Sequence, residues 1–265
     1  MSISGYTPPF SPRGKAGIVP SPPWHYVGNF LAIDFLTAPD AVAVLLPPGL
    51  TPSHDHPGHC TANFVDWQCV TDSGEELLDP IRSQYHEFLL LVHAALDDQP
   101  VMYCPYIYVD QDTSLIRGLI QGYPKKYGSV YTTRTFDSPS RAAARLEAGT
   151  TLAGTLTVKD QRLAEGKVTL QHTTDATAAF GRAPIITLRY FPSLDPGYPP
   201  AVHELVRMQP EDTHISTVWQ GDAQLTFFDS PTEDLIQLQA THILAGYRYT
   251  MALTVRHSQV VRRLG

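Results

Sequence analysis

Two adjacent lysines follow a proline in the stretch LIRGLIQGYPKKYG, which runs from Leu115 to Gly128. A lysine attacks a carbonyl carbon only as the neutral amine, and its ordinary pKa of about 10.4 leaves almost no neutral amine at pH 7. Lowering this pKa to about 7 means destabilising the ammonium by roughly 4–5 kcal/mol, through burial or a neighbouring positive charge. Lys125 and Lys126 are therefore candidates for Schiff-base chemistry. The alternative is a solvated pair of surface charges, and burial matters more than pairing where the two side chains point to opposite faces of an extended chain.

An arginine and a glutamine precede the lysine pair at helical spacing. Arg117 and Gln121 are four residues apart and so share one face of a helix, and Gln121 lies four residues before Lys125. A guanidinium binds a carboxylate through two parallel N–H bonds, and an amide donates to a carbonyl or hydroxyl oxygen. The three side chains together suit a 2-oxo acid whose ketone meets the lysine. The alternative is the solvated face of an ordinary amphipathic helix.

A histidine-rich stretch, HDHPGHC, follows a proline-rich turn. Its spacing is compatible with a zinc or copper site, but the Pro-Gly pair within it is typical of a polar surface loop. Schiff-base chemistry needs no metal, so we expect a loop here, with no metal and no other cofactor. The potential ligands in this stretch are His54, Asp55, His56, His59 and Cys60.

The composition favours a globular protein with a substantial core over a disordered, nucleic-acid-binding or membrane protein. The 265 residues carry a net charge of −7 with only 19 Lys and Arg, and 43% of them are hydrophobic, so we expect a large core and no basic surface. The apolar segment Glu87–Leu96 is far shorter than the roughly 18 residues of a membrane span. Three cysteines without CxxC spacing are typical of free thiols in a reducing compartment. With no apolar signal core at the N-terminus, we expect a cytoplasmic protein.

Helical signals are confined to two segments. Ala38–Leu46 is one, closed by the Pro-Pro-Gly that follows it. The second begins at Asp112 or Thr113, either of which can cap it, and its apolar residues repeat at helical spacing until Gly122 and Pro124 end it. The lysine pair thus follows a short helix through a tight turn, which is a rigid way to hold a reactive group.

Strands dominate the rest of the chain. The sequence has 23 prolines and 18 glycines among many Thr, Val and Tyr residues, a composition typical of short strands broken by turns. Thr151–Gln171 reads as a hairpin whose turn lies near Lys159–Glu165. There is no βαβ rhythm, so we predict a mainly β (α+β) domain, a barrel or sandwich, over residues 24–265. A Pro-rich arm over residues 1–23 is predicted to lie extended on the surface or against a neighbouring subunit. Further strands are predicted at Ala183–Phe191, His214–Gly221, Ala223–Asp229 and Gly246–Val255.

The segment QGYPKKYG resembles the active-site segment of acetoacetate decarboxylases, in which a Tyr-Pro-Lys-Lys turn carries the Schiff-base lysine. Further stretches resemble the same family, so that the resemblance spans about Pro22 to Val255: YIYVDQDTSLIRGLIQGYPKK, TVWQGDAQLTFFD with THILAGYRY, and PPWHYVGNFLAIDFLTAPDAVAVLLPPGL. The resemblance implies a β-barrel or double-sheet fold with a few short helices. It also implies Lys125 as the nucleophile, Lys126 as the neighbour that lowers its pKa, and a homo-oligomer of four or more subunits.

One departure from this family bears on the reaction. Acetoacetate decarboxylases use an arginine on the first strand and two glutamates, and the resemblance aligns these with Gly28, with a position near Asp66 and with Glu87. The missing arginine argues against acetoacetate as the substrate, because that group helps to position it.

Arg117 and Gln121 instead resemble a branch of pyruvate aldolase-dehydratases, in which a Tyr or Glu near the C-terminus shuttles protons. Tyr247 is the candidate for that role, and Tyr249, two residues on, would face the same side of a strand.

The predicted reaction condenses pyruvate with an aldehyde. Lys125 forms an iminium with the ketone while Arg117 holds the carboxylate, and the derived enamine attacks the aldehyde. Loss of water, assisted by Tyr247 or Glu87, gives an unsaturated 2-oxo acid. The alternative is decarboxylation of acetoacetate or a related 3-oxo acid through the same iminium. A non-catalytic module that binds small carbonyl compounds and a purely structural role in an assembly are the further alternatives.

Overall fold

The computed structural model describes residues 3–178 and 183–265, which form a mainly β fold with a few short helices. None of the helices in these two ranges is long and apolar enough to cross a membrane. The helices are α1 (Pro39–Ala43), α2 (Pro80–Ser83) and α3 (Asp112–Ile120), and 3₁₀ turns lie at Glu75–Leu78, Ala176–Ala178 and Leu235–Leu238. The strands are β1 (Trp24–Leu36), β2 (Thr51–Pro52), β3 (His59–Val70), β4 (Gln84–Leu96), β5 (Gln99–Val109), β6 (Lys125–Tyr127), β7 (Ser129–Thr132), β8 (Thr151–Val158), β9 (Gln161–Thr174), β10 (Ile185–Phe191), β11 (Val202–Ile215), β12 (Val218–Phe227) and β13 (His242–Arg263).

Strands β1, β3, β4, β5, β10, β11 and β13 form a closed ring in that order, because β13 pairs back onto β1. The closing pair is antiparallel and long: Trp24 lies opposite Val255 at one end, and Leu36 lies opposite His242 at the other. β10 meets β5 through a short parallel contact at Ile185 and the next residue. Strands β12, β9, β8 and β7 continue from β13 and form a second layer against the ring.

Strands β1, β3 and β4 each contain a long run of consecutive buried residues. Because successive side chains of a strand point to opposite faces, both faces of these strands are buried. On β3, the Phe64 ring points to the second layer and occupies the space that side chains at Gly154 and Gly166 would need. Val65 and Trp67 of the same strand turn the other way, into the barrel, where they join an aromatic-rich cluster. The molecule therefore has a large, mainly aliphatic core between the layers, an aromatic-rich cluster inside the barrel, and a smaller cluster around Leu89 and Ile107.

Most of the predicted elements are confirmed. Helix α1 ends at Ala43 rather than Leu46, and the residues after it continue in hydrogen-bonded turns. Helix α3 begins at Asp112, and its N-cap is the residue before. The predicted hairpin is β8 with β9, joined by a two-residue turn in which Lys159 and Asp160 have φ of 48° and 62°. Positive φ at both positions matches the right-handed twist of the flanking strands.

The prediction of one strand over His214–Gly221 is wrong, because the chain turns between β11 and β12. At this turn the Ser216 N–H donates to the Thr250 carbonyl, and the Ser216 hydroxyl accepts from the Thr250 N–H. The turn is thus anchored on β13, a contact distant in sequence that the local run of strand-forming residues does not reveal. The strand predicted from Ala223 onward is the continuation of β12.

The Pro-rich arm packs against its own chain near its end. Val19 is 1% exposed and belongs to the cluster inside the barrel. Its backbone N–H and carbonyl both bond the hydroxyl of Thr7, at 2.8 and 3.0 Å. The carbonyl of Ile18 accepts a hydrogen bond of 3.1 Å from the hydroxyl of Thr113. The arm is therefore tied to the start of α3.

Candidate active site

Lys125 and Lys126 point to opposite faces of β6. This strand runs parallel to β5, with Lys125 beside Ile107 and Lys126 beside Tyr108. Lys125 turns into the barrel, where its side chain is 7% exposed. Lys126 turns outward, is 49% exposed, and forms an ion pair with Glu233, which also accepts a hydrogen bond from Tyr108. The alternation of an extended chain separates the two ammonium groups.

Two glycines allow the chain to place Lys125. The lysine side chain crosses α3 at Gly118, where an added Cβ would lie 2.3 Å from the lysine Cδ. Gly122, just after the helix, has φ of +85°, in the left-handed region that glycine enters without strain. The carbonyl of Gln121 accepts a hydrogen bond of 2.8 Å from the hydroxyl of Thr187 on β10. Because the end of the helix is fixed in this way, Lys125 enters the barrel from a rigid turn.

The Lys125 amine is held by two side chains. Its Nζ donates to Glu87 Oε2 at 2.8 Å and to Ser114 Oγ at 2.9 Å. The other carboxylate oxygen of Glu87 accepts from the indole N–H of Trp67 at 3.1 Å. Burial lowers the pKa of Lys125 from its ordinary value; the Glu87 carboxylate opposes this shift, and the charge of Arg117 adds to it. A buried amine with a lowered pKa beside a fixed carboxylate has the arrangement that a lysine nucleophile and its base require.

A cavity of about 330 Å³ lies inside the barrel at Lys125. Small-molecule sites typically have volumes of roughly 300–1,000 Å³ and mostly apolar walls with a few polar groups. Lys125 and Glu87 are the charged side chains among the described lining residues, and they pair with each other. The aromatic rings of Tyr26, Trp67 and Tyr85 line the cavity beside this pair. The described part of the cavity therefore offers one amine and one carboxylate within mostly apolar walls.

Arg117 and Gln121 are both buried, and each carries a donor without a partner. Among the described residues, Arg117 Nη2 and Gln121 Nε2 are buried side-chain nitrogens that make no hydrogen bond. Buried donors are nearly always bonded, so these nitrogens are candidates for contacts to ligand oxygens. Gln121 lines the cavity. The Arg117 guanidinium lies behind the wall, 5.1 Å from the centre of the Tyr26 ring and 5.8 Å from that of Tyr85.

Tyr247, the predicted proton shuttle, is not brought to the cavity. It is buried in the aromatic cluster inside the barrel, as is Tyr249, whose ring stacks on Phe30 at 4.9 Å between centroids. The residues of the same strand face that line the cavity come later in the chain, beginning with Met251 and Leu253. The two tyrosines do share one side of β13, as predicted, but their side chains pack in the cluster beyond the cavity wall.

Gly28 and Asp66 are not among the described residues that line the cavity. Asp66 faces the side of β3 opposite to Trp67 and lies 3.7 Å from His86. An added Cβ at Gly28 would lie 2.3 Å from the Trp67 ring. Trp67 thus fills the place beside the first strand where the resemblance puts an arginine in decarboxylases.

Several residues at the cavity or beside Lys125 were not predicted from the sequence. Ser114 and Gly118 belong to one face of α3 together with Arg117 and Gln121, at spacings of three, four and seven residues from Ser114, and this polar and small stripe was an available signal. Trp67 and Tyr85 carried no such signal, because they meet only through the register of β3 with β4. Tyr123 also lines the cavity, and burial raises the pKa of its phenol.

The histidine-rich loop folds against β4. The rings of His59 and His93 stack at 4.1 Å, and His56 lies 5.4 Å from His93. Within the described ranges, no group of three or more His, Cys, Asp or Glu side chains has the arrangement of a metal site. The cysteines, Cys60, Cys69 and Cys104, are buried free thiols as predicted.

Residues 7–264 match the family model described as acetoacetate decarboxylase (ADC). The chain belongs to this family, and its mainly β, acetoacetate-decarboxylase-like fold is as predicted. No curated protein matches the chain significantly.

Several solved structures are similar over nearly the whole chain. The enduracididine biosynthesis enzyme MppR, complexed with the condensation product of pyruvate and imidazole 4-carboxaldehyde, is 34% identical with a TM-score of 0.91, over 98% of this chain and 97% of that one. MppR complexed with pyruvate is 33% identical with a TM-score of 0.91, over 99% of both chains. An acetoacetate decarboxylase-like enzyme from Sphingomonas wittichii RW1 has a TM-score of 0.90 at 24% identity, over 98% of this chain and 100% of its own. This last similarity is one of fold.

Proposed function

We propose that this protein is a Schiff-base lyase that condenses pyruvate with an aldehyde and eliminates water. The observation that carries the proposal is the buried Lys125 amine, 2.8 Å from the Glu87 carboxylate at the wall of a ligand-sized cavity. The similarity to MppR, whose structures hold pyruvate and a condensation product of pyruvate with an aldehyde, supports this choice of substrates.

Imine formation uses the neutral amine of Lys125. Glu87 takes a proton from the ammonium, and the amine nitrogen then adds to the ketone carbon of pyruvate. Two of the three ammonium protons leave with the ketone oxygen as water, and the third stays on the iminium nitrogen. Gln121 Nε2, which lines the cavity, donates to the carboxylate of pyruvate. Arg117 supplies positive potential from behind the wall, since a direct contact would require the intervening rings to move.

Carbon–carbon bond formation uses the carboxylate of Glu87 as the base. It removes a methyl proton from the iminium, and the C–H electrons form the enamine double bond as the C=N electrons move to nitrogen. The enamine carbon bonds to the aldehyde carbon, and the carbonyl electrons move to the oxygen, which takes the proton back. A second proton then leaves the former methyl carbon, and the hydroxyl departs with it as water. Addition of water to the iminium carbon releases the unsaturated 2-oxo acid and restores Lys125.

Decarboxylation of a 3-oxo acid by the same iminium is the second candidate. Its electrons would come from the C–C bond to the departing carbon dioxide instead of from a C–H bond. The Trp67 ring against Gly28 leaves no room there for the arginine of decarboxylases, which favours the aldolase-dehydratase. A non-catalytic carbonyl-binding module ranks behind both, because the amine and its base are already in contact.

Borohydride trapping tests the proposal. The protein is incubated with pyruvate, and separately with acetoacetate, then reduced, and the adduct is located by intact mass and peptide mapping. We expect a pyruvate adduct on Lys125 that is absent from Lys125→Ala and retained in Lys167→Gln, a control on an exposed lysine of β9. An adduct from acetoacetate alone, with the mass of trapped acetone, would favour the decarboxylase. No adduct from either acid would refute Schiff-base catalysis.

A cytoplasmic location and a homo-oligomer of four or more subunits stay predictions. Light scattering on the purified full chain measures the subunit number directly.

A further inference from the structure

One part of the cavity wall, as far as the structure describes it, consists of aliphatic and thioether side chains. We call it the apolar chamber and define it by six residues from five strands: Leu89, Ile107, Ile185, Met208, Met251 and Leu253. Leu89 and Ile107 belong to one buried cluster and Met251 to another, and Met208 packs against both. The chamber is therefore one continuous surface that spans the barrel.

The apolar chamber begins at the nucleophile. Ile107 is the direct neighbour of Lys125 in the pairing of β5 with β6, and Leu89 is two residues from Glu87, on the same face of β4. A molecule joined to the Lys125 nitrogen therefore has the chamber beside it. Glu87 and Gln121, which also line the cavity, are engaged by the oxo acid in the proposed reaction.

Among the residues that the structure describes, the six of the chamber offer no partner for a charged or strongly polar substituent. The side chains of its six residues carry neither a charge nor an N–H or O–H donor, and an ion placed against them would lose its hydration without compensation. Methionine side chains are flexible and polarisable, and they make favourable contacts with aromatic rings. Apolar groups of varied shape therefore fit this wall, and charged groups do not.

We propose that the second substrate is an uncharged, apolar aldehyde, aromatic or aliphatic, whose side chain occupies the apolar chamber. The proposal rests on the proposed function and names the substrate class of that same site. When the enamine carbon bonds to the aldehyde carbon and the carbonyl electrons move to oxygen, the oxygen faces Glu87 and the apolar substituent faces Met208.

An aldehyde series tests the chamber with pyruvate as the first substrate. Burial of one methylene corresponds to about a three- to fourfold gain in binding. From propanal to hexanal, kcat/KM should therefore rise about three- to fourfold for each added methylene. Benzaldehyde should exceed imidazole 4-carboxaldehyde and charged glyoxylate by at least about tenfold. A flat series, or a preference for glyoxylate, would overturn the proposal.

A pair of methionine variants locates the effect. Met208→Gln and Met102→Gln make the same chemical change at two partly buried methionines, of which only Met208 lines the cavity as described. The gain per methylene should fall below about twofold in Met208→Gln and persist in Met102→Gln. Leu253→Gln is a second chamber variant in case the first does not fold. Equal slopes in all the folded variants would place the aldehyde elsewhere.

Binding of unreactive alcohols separates this proposal from the proposed function. The dissociation constants of 1-propanol to 1-hexanol are measured by tryptophan fluorescence, since Trp67 lines the cavity. A three- to fourfold decrease per methylene, lost in Met208→Gln, supports the chamber even if borohydride traps no pyruvate. If pyruvate forms an adduct but neither alcohol affinity nor aldehyde kcat/KM changes with chain length, the apolar chamber does not bind the aldehyde side chain. The Schiff-base mechanism would then still hold.

Discussion

Lys125 lies between one charge of each sign, and the balance of the two, together with burial, sets its reactivity. Glu87 stabilises the ammonium through a hydrogen bond of 2.8 Å, whereas burial and Arg117 destabilise it. The neighbour in sequence, Lys126, is paired with Glu233 on the far side of the strand. The cation that lowers the pKa of Lys125 is Arg117, from behind the cavity wall.

Glu87→Gln should lower the pH midpoint of pyruvate-adduct formation, because the carboxylate raises the pKa of Lys125. The midpoint is read from the initial rate of borohydride trapping against pH. In the wild type this rate should rise with pH and level off below 10.5, the ordinary pKa of lysine. Condensation should fall about 10²–10⁴-fold at the same time, because the base is lost.

Glu204→Gln is the matched control, since Glu204 is another buried glutamate, paired with Arg189 at 2.8 Å. It should leave the midpoint where the wild type has it. A midpoint that rises in Glu87→Gln would mean that the carboxylate does not stabilise the ammonium.

Arg117→Met should raise the same midpoint, because its charge lowers the pKa of Lys125, and Arg117→Lys should restore it in part. Lys126→Met should shift the midpoint less than Arg117→Met does, since the Lys126 ammonium faces outward. A larger shift from Lys126→Met would restore the pair of adjacent lysines as the source of the lowered pKa. Trapping rates against pH in the three variants decide between the two cations.

Helix α3 is the element that builds the site. Its face at Ser114, Arg117, Gly118 and Gln121 holds the amine, supplies the positive charge, lets the lysine cross, and presents the amide to the cavity. The apolar residues of the helix, Leu115, Ile116 and Ile120, are partly buried and pack against the cluster inside the barrel. One short helix thus carries most of the polar groups of the site.

Gly118→Ala should lower the rate of adduct formation at least about 100-fold. An added Cβ would lie 2.3 Å from the Lys125 Cδ and displace the lysine, and a displacement of about 1 Å can lower the rate of a catalysed step about 100-fold. Alanine favours helix by about 1 kcal/mol over glycine, so circular dichroism should show an intact fold. Gly197→Ala, in an exposed loop, is the control and should trap pyruvate like the wild type. Normal trapping by Gly118→Ala would show that the lysine does not need its path across the helix.

The local part of the site could be predicted from the sequence, and the part built by the barrel could not. Lys125, Arg117 and Gln121 lie within one helix and turn, so spacing alone groups them. Trp67 and Tyr85 reach the cavity through the strand register, which depends on contacts across the whole sheet. Tyr247 is an example. The sequence predicted that it shares a strand face with Tyr249, but not how far along the barrel from the cavity it lies.

At the scale of the whole molecule, three buried clusters and the N-terminal arm stabilise the barrel. The predicted mainly β fold is confirmed, and the sequence suggested a barrel or sandwich because alternation and turn residues recur throughout. The closed ring of strands and the second layer against it could not be predicted from this alternation, because strands buried on both faces lose the alternation of apolar and polar residues.

Val19→Ala should lower the free energy of unfolding by roughly 1–3 kcal/mol, because Val19 is buried in the cluster inside the barrel and its loss leaves a cavity. Val44→Ala is the matched control at 82% exposure and should change stability by less than about 0.5 kcal/mol. Urea unfolding of both variants measures the difference. Equal stabilities would mean that the arm is dispensable to the fold.

The closing pair of β1 with β13 has a consequence for how the chain acquires its activity. Trp24 must find Val255, one of the widest separations that the sequence offers, and such non-local pairing slows folding. Lys125 leaves the ribosome long before β13 does, so the nascent chain carries this lysine without the strand whose Met251 and Leu253 complete the cavity wall. The proposed nucleophile therefore gains its buried surroundings only after the last wall strand has been synthesised and docked.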